Sequence, residues 1–572
     1  MQLQYSTLYF CILLLSVQIL YLPGMNRNES LLRLKNEHFD ICIIGAGASG
    51  AGCALDAVLR GYKVALIDRK DFASETSSRS TKLIHGGVRY LEQAFKNLDF
   101  AQLKQVRHGL EERHIVLNNA PHLARPLALM TPVSSWIEGL YFSIGLRMYD
   151  WFATNDSLPK SKWLKKEEVL SRIPTLNRSK LHSAVMYYDG QLDDARYCLA
   201  LATSSSEAGA AVANYIEVTG FEKNENGKLN GVQVRDTQSE QEFTITTKLV
   251  INCTGPFSDK IRHFANTDLP GRIRPSKGVH VVLPYEVLNS DHAMLIPKTA
   301  DGRVVFAIPF EGSMLLGTTD TESNDLVNEA SLSKKEVDYL VSTLNPYLDK
   351  AIDISKVKAG YGGLRPLLSA DPHKSTKTLL RDHEIEIDAV SGLVSLLGGK
   401  WTTYRLMAKD TIDQADLIFE KHNECTTANY MLTGGANFDY ESWKFLVKDF
   451  NLSEDVSKHL VNKYGSRASE VGKLTQINPK LKEKLDPGYP YIKAEVIYTV
   501  QNEMAIVPRD VLARRIRMEI TDWRATLKCL PIVADLMGEE LGWSEVQKEK
   551  DMLDYSLEIK QFIANAAGEP VH

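Results

Sequence analysis

Gly45, Gly47 and Gly50 follow an apolar run, Ile41 to Ile44, at G-x-G-x-x-G spacing, and Asp68 comes about 20 residues later. Together these residues can hold a dinucleotide. Gly45 suits a tight turn, Gly47 lets backbone approach a pyrophosphate, and Gly50 lets helix and strand pack closely. The helix that begins here offers free N–H groups and the positive end of its dipole to the phosphates. Asp68 is placed to accept from a ribose hydroxyl. A bare glycine triplet is a weak signal. Here it stands in full order: strand, glycine turn, apolar helix through Ala54 and Leu59, Gly61 at its end, and a second strand from Lys63 to Ile67.

The next chemical stretch is TSSRSTKLIHGGVRYLE, from Thr76 to Glu92. It joins hydroxyls, Lys82, His85, a Gly-Gly pair and Arg89-Tyr90. A solvent loop has a similar composition. Its position, between the second strand and a helical pattern from Asp99 to Leu117, argues instead for a segment that covers a bound cofactor.

Two distant segments must complete the site. KLVINCTGPFSD, from Lys248, reads as a buried strand ending in Thr254-Gly255. SGLVSLLGGKWTTYRLMAKD, from Ser391, reads as a strand, a Gly398-Gly399 turn and a helix capped by Thr402 or Thr403. A dinucleotide unit interrupted by long insertions and closed by a glycine turn into a helix resembles FAD-dependent oxidoreductases of the glutathione-reductase/D-amino-acid-oxidase type. The resemblance implies an α/β fold, a Rossmann-like FAD-binding domain with an interleaved antiparallel substrate sheet, and a last helix whose N-terminus stabilises reduced flavin.

Strands expected in the substrate sheet are Val250 to Cys253, Val279 to Leu283, Arg303 to Ile308 and Met314 to Gly317. Beyond about Arg405 the pattern turns helical, with helices starting at Pro508, spanning Pro531 to Leu541, and spanning Ser544 to Ile563. This divides the chain into an N-terminal extension (1–38), a FAD-binding domain with its interleaved substrate domain (39–405) and a C-terminal helical domain (406–572).

Composition sets the outer limits. The 572 residues are 44% hydrophobic and 24% charged, ordinary for a globular protein. The net charge of -5 gives no global field for nucleic acid. Cys11, Cys42, Cys53, Cys198, Cys253, Cys425 and Cys529 form no Cys-x-x-Cys pair, so no metal site is expected and a reducing compartment is. Leu8 to Leu22 is apolar but shorter than the roughly 20 residues of a spanning helix. No Lys or Arg precedes it, and Arg27, Arg33 and Lys35 follow, so an inserted segment would leave the body on the cytoplasmic side. The plainer reading is an extension ahead of Met25.

The run S-S-x-x-S/T-K-L-I-H-G-G-x-R-Y-L-E also resembles the flavin-covering segment of FAD-dependent, quinone-linked glycerol-3-phosphate dehydrogenases. The likeness extends from about Phe39 to about Leu541, through ARPLALMTP, QLDDARYCLA, NCTGPFSD, RPSKGVHVVLP, IPFEGSMLLGTTDT, GYGGLRPLL and LLGGKWTTYR. It implies FAD contacts from Gly45, Gly47, Gly50, Asp68, Thr76, Ser77, Ser78, Lys82, His85, Gly86, Gly87, Thr254, Gly255, Gly398, Gly399, Thr402 and Thr403. A phosphomonoester needs several fixed cations. The resemblance assigns Arg365 and Arg381 to that role, with Lys400 and Arg89 near the reacting end and Tyr90 beside them. His280 is the candidate base, with His85 as its competitor.

The implied reaction is oxidation of sn-glycerol 3-phosphate to dihydroxyacetone phosphate, with electrons passed to ubiquinone or menaquinone. An oxidase yielding peroxide, and an amino-acid or 2-hydroxyacid oxidoreductase of the same fold, are the alternatives. The implied partners are substrate, quinone, a membrane surface and, as an option, a second copy of the chain; nucleic acid is excluded. The lack of an Arg-rich leader favours the cytoplasmic face of a bacterial inner membrane over the mitochondrial inner membrane. No EF-hand loop is found, so calcium control is not expected. Pro132 to Phe152 is rich in aromatics with few charges, which suits either a membrane interface or the core. The core is favoured, because aromatic area usually goes inside.

Overall fold

The computed structural model describes residues 24–87, 100–153, 158–297, 299, 302–368 and 383–569. Along the chain, the elements that build the site are β1 (His38–Ile44), α1 (Ala48–Leu59), β2 (Val64–Ile67), α2 (Phe100–Asn119), β3 (Ala124–Val133), α3 (Trp136–Phe152), β4 (Ser183–Leu192) and α4 (Asp194–Glu207). They continue as β5 (Glu242–Asn252), β6 (Ile273–Pro284), β7 (Ser313–Gly317), β8 (Ala359–Leu368), β9 (Val394–Gly398), α5 (Tyr404–Ile418), α6 (Trp523–Leu541) and α7 (Glu545–Ala567).

Two sheets share these strands. In the first, β9, β5, β1, β2 and Ala211–Ala213 lie side by side and parallel. A parallel sheet is covered on both faces, so its strands read as apolar runs without alternation. All four residues of β2 are buried, as are Ile41, Cys42, Ile43 and Ile44 of β1. Each such side chain contributes about 1.5–3 kcal/mol over an exposed one. Helix α1 covers one face with α4 and α5 against it. Gly52 lets α5 come close, since a Cβ there would lie 2.9 Å from the Tyr404 ring.

Among the described residues the second sheet has ten strands and is antiparallel apart from one pairing, β3 with Ala293–Ile296. Near one end of it lies β6, flanked by β7 and β8. The expected strands at Val279, Arg303 and Met314 fall here, the middle one as Val305–Phe310. Val250 to Cys253 does not. It ends β5 in the parallel sheet, where its unbroken apolar run fits burial on both faces.

The C-terminal region is helical from Trp443 onward. Pro508 begins a turn that continues as a π-helix, Asp510–Arg515, rather than an α-helix. The helix expected from Pro531 begins earlier, at Trp523, capped by the Asp522 side chain on the Ala525 N–H. Pro531 lies inside it on the exposed side, where solvent can serve the carbonyl it leaves unbonded. Helix α7 is capped by Ser544, whose hydroxyl accepts from the Gln547 N–H.

Helix α3 divides the aromatics expected in the core: Tyr149 is buried and Phe142 and Phe152 are half-buried against core side chains, but Trp136, Tyr141 and Trp151 are exposed. It buries Gly139, Ser143, Leu146 and Tyr149 and turns Trp136, Ile137, Leu140, Tyr141, Ile144 and Trp151 outward, with Ile137 75% and Trp151 73% exposed. The small residues decide this. A Cβ at Gly139 would lie 2.5 Å from the Trp163 ring, so that face must pack inward.

Candidate active site

The site is a cavity of about 360 Å³ between the two sheets, within the range of small-molecule pockets. Its floor is the turn from β1 into α1. Gly45 has φ +100, and a Cβ there would lie 2.8 Å from the Cys253 carbonyl oxygen. A Cβ on Gly50 would lie 1.8 Å from the Gly45 carbonyl oxygen. The N-cap of α1 is Gly47, which has no side chain to satisfy the first N–H groups. Ser77 Oγ reaches in, accepting from the Ala48 N–H at 2.9 Å. Asp68 accepts from the N–H of Ala46 at 2.7 Å and of Lys70 at 3.0 Å. Burial pushes its carboxyl up to about 6 against those two bonds.

The opposite wall comes from β9 and α5. Gly398 and Gly399 have φ +75 and +90, values that favour glycine, and turn the chain into Lys400, Trp401 and Thr402 on the lining. Thr403 holds the N-cap position of α5, as expected, but caps nothing: its hydroxyl donates to the Lys400 carbonyl at 3.3 Å. Two helices thus present N-termini here whose own N-cap residues supply no capping side chain. Thr254 and Gly255, after β5, also line the cavity, and the Thr254 hydroxyl is held by Asn252 at 2.7 Å.

The substrate sheet forms the third side. His280 on β6 and Arg365 on β8 both reach the lining. Arg365 donates to the Thr319 carbonyl at 3.0 Å and the Thr318 hydroxyl at 3.2 Å, and pairs with Asp320 at 3.4 Å. Gly278, across from it, makes room: a Cβ there would lie 2.2 Å from a guanidinium nitrogen. Thr319 also accepts from the Val279 N–H, so the GTTDT run positions Arg365 and ties β6.

Similarity to known proteins decides what this arrangement serves. Residues 40–405 match the family model described as FAD dependent oxidoreductase, and residues 425–548 match the C-terminal domain of alpha-glycerophosphate oxidase. The mitochondrial glycerol-3-phosphate dehydrogenase of Mus musculus is 40% identical over 541 residues, 92% of this chain and 74% of that protein. The Homo sapiens protein of the same name is 39% identical over 540 residues, with the same shares covered. The X-ray structure of the glycerol-3-phosphate dehydrogenase from Bacillus halodurans complexed with FAD superposes with TM-score 0.76 at 28% identity, covering 93% of this chain and 97% of that one.

The chain belongs to the FAD-dependent glycerol-3-phosphate dehydrogenase family. Its cofactor is FAD. The cavity fits that cofactor on its own terms. The glycine cradle is one that a Cβ would fill, and both helix ends suit anionic groups, phosphates at α1 and reduced flavin at α5.

Within this dehydrogenase frame, the expected contacts separate by position. Gly45, Gly47, Asp68, Thr76, Ser77, His85, Thr254, Gly255, Gly398, Gly399, Lys400, Thr402, His280 and Arg365 lie on the cavity. The Thr76 hydroxyl is already donated to the Leu364 carbonyl at 2.6 Å, so it ties the covering segment to β8. Ser78, Lys82, Gly86, Gly87, Gly50 and Thr403 lie off the lining. Ser78 is buried and bonded to the Glu75 carbonyl, and Lys82 turns inward to Asp194. Gly86 faces the α2–α3 side, donating its N–H to the Tyr149 hydroxyl at 2.7 Å. Arg89, Tyr90 and Arg381, with the apolar stretch from Leu8 to Leu22, fall outside the described residues.

Sequence reasoning missed three participants. Trp401 donates its indole N–H to the Ser77 carbonyl, Thr81 meets His280, and Tyr361 stacks on His280. The strand alternation of GYGGLRPLL was the available sign for Tyr361. Among the described residues no cluster of His, Cys, Asp and Glu could hold a metal ion, and no helix is long and apolar enough to cross a membrane.

Proposed function

We propose that this chain oxidises sn-glycerol 3-phosphate to dihydroxyacetone phosphate and delivers the electrons to ubiquinone or menaquinone. The observation that carries this reading is one cavity holding both a dinucleotide cradle and the side chains of His280, Arg365 and Lys400. Bound FAD supplies the hydride acceptor and relays two electrons onward. Arg365 offers a planar fork to the substrate phosphate and Lys400 a point charge. His280 takes the hydroxyl proton as the carbon gives up its hydride, leaving the ketone. His85 is the second candidate for that proton. Arg89, Tyr90 and Arg381 belong to the same proposal. Fixed cations favour alkoxide character, and the walls hold the alcohol carbon in place.

Quinones live in lipid, so the reading needs a membrane face. The outward stripe of α3 supplies one: tryptophans at 136 and 151, with Ile137, Leu140, Tyr141 and Ile144 between them. The Mus musculus and Homo sapiens relatives are called mitochondrial, which supports the mitochondrial inner membrane over a bacterial one. The same reading takes 39–405 as the catalytic unit and 406–572 as a helical domain, in line with the two family matches.

Anaerobic mixing of the yellow protein with sn-glycerol 3-phosphate tests the assignment. Rapid bleaching of the flavin is expected, with none from glycerol or lactate. A flavin that stays oxidised would remove this substrate, and fast peroxide production in air would move the chain to the oxidase branch.

A further inference from the structure

Lys82 has a left-handed backbone, φ +62, and a fully buried side chain. Its ammonium donates to Asp194 at 2.8 Å and to the carbonyls of Ser78 and Ser80 at 2.9 and 3.1 Å. It also lies 4.4 Å from the centroid of the Tyr361 ring. Tyr361 is the cross-strand partner of His280 and stacks on it, centroids 4.8 Å apart and planes 18° apart. The Tyr361 hydroxyl donates to the Ser80 carbonyl at 3.0 Å, so ring and covering segment are fastened together. His280 Nε2 meets the Thr81 hydroxyl at 3.0 Å, while Nδ1 is buried with no hydrogen-bond partner among the described residues. An unpaired buried nitrogen is costly unless the site uses it.

We propose that Lys82 is a positioning residue for His280: anchored by Asp194 and laid against Tyr361, its ammonium adds to burial in keeping the imidazole neutral and seated, available for the substrate's hydroxyl proton. The proposal rests on His280 as the base, as proposed above. It also accounts for a lysine in a cofactor-covering loop that turns away from the cavity.

The charged groups around both residues support it. Lys82 meets Asp194 and Asp193 at the start of α4, and Arg517 from the C-terminal region. Arg517 donates to Asp194 at 2.7 Å and to the Ser78 carbonyl at 3.0 Å, which fixes the same loop. His280 feels two cations, Lys82 and Arg365, with the Thr81 hydroxyl and the Tyr361 ring as its neutral neighbours. On its other side Gly317 leaves space, since a Cβ there would lie 2.2 Å from the imidazole. Burial first, then Lys82 and Arg365, hold the imidazole well below its usual range. Burial brings Lys82 itself down to about 7, with Asp194 opposing. The ammonium is therefore charged below about 7, the range in which an ordinary histidine gains its proton. A cation disfavours imidazolium, so removing it raises the pH at which His280 protonates. A rate that needs the neutral ring then falls off at higher pH than before.

The test uses the FAD-loaded protein. Flavin reduction by sn-glycerol 3-phosphate is followed against pH in the wild type, Lys82→Gln, Lys82→Met, Lys82→Arg and His280→Asn. The His280 ring titration is read in parallel by NMR on ¹⁵N-histidine protein and assigned by its loss in His280→Asn. Lys82→Gln keeps a donor for Asp194 without the charge, which guards against Lys82→Met failing to fold. The expected result is an upward shift of about half a unit to one unit in both the acid limb and the ring titration for Gln and Met, with Arg restoring both. An unmoved titration and acid limb in Lys82→Gln, with His280→Asn inactive, would overturn this proposal alone. Normal flavin reduction in His280→Asn would overturn the base assignment and this proposal with it.

Discussion

The indole N–H of Trp401 donates to the carbonyl of Ser77 at 2.9 Å, joining the last flavin-binding turn to the covering segment across 324 positions of chain. The bond sits where both helix N-termini open onto the cavity. Trp401→Phe keeps the ring's packing against Tyr197 and Tyr404 but removes the donor. A buried hydrogen bond of this kind is worth about 1 kcal/mol, so FAD should bind roughly 5-fold more weakly. Flavin fluorescence released on dilution measures it. Unchanged retention would mean that the two segments are held by other contacts.

Arg365 stands opposite Ser276 on β6 and beside Gly278, with its guanidinium on the cavity. Arg365→Ala should raise KM for sn-glycerol 3-phosphate by about 10- to 100-fold, the value of a charge-assisted phosphate bond. FAD content should stay normal. Saturation at the wild-type concentration would contradict the phosphate role.

The outward stripe of α3 predicts a separation of binding from chemistry. Ile144→Glu together with Trp151→Glu should abolish co-sedimentation with anionic liposomes. Flavin reduction by substrate in solution should be untouched, because both side chains point away from the cavity and are 53% and 73% exposed. If the double variant sediments with lipid as the wild type does, α3 is not the membrane face.

Asp193 is buried between Lys463 and Arg517, and these cations overcome the burial penalty to hold its carboxyl down to about 2. A depressed carboxyl adds stability that is fully present above its unfolded value of about 3.9 and is lost as pH falls through the folded value. Asp193→Asn should therefore cost about 3 kcal/mol at pH 7, the usual effect of stranding a buried ion pair. The gap from the wild type should narrow between roughly pH 4 and pH 2. Urea unfolding at several pH values checks both the size and the window. A gap that stays constant with pH would assign the loss to shape rather than charge.

Much of this molecule was legible where the physics is local. The β1–α1–β2 unit declares itself because a turn that admits no Cβ, a helix start and an acid must follow within one short segment. The Gly398-Gly399 turn and the N-cap position of α5 were readable for the same reason. What the sequence hid depends on distant partners. Lys82 looks like a cation offered to phosphate, and only Asp194 and Arg517, far along the chain, turn it inward. Trp136, Tyr141 and Trp151 of α3 look like core until Gly139 and Ser143 are seen to take the inner face. Val250 to Cys253 reads equally well as a strand of either sheet, because an apolar run does not name its neighbours. The stack of Tyr361 on His280 requires the register between β6 and β8, which no single stretch records.

The two sheets are woven from alternating lengths of chain, and β9 reaches its place beside β5 only after the substrate sheet has been laid down. This sets a timetable for synthesis. The cradle at Gly45 emerges from the ribosome early, but the wall at Gly399 follows some 350 residues later, roughly 20–70 s at ordinary elongation rates. A nascent chain therefore carries half a binding site through most of its translation. Holding the cofactor tightly becomes possible only once the chain has passed Gly399, so uptake of flavin reports that both halves of the site have been made and correctly interlaced.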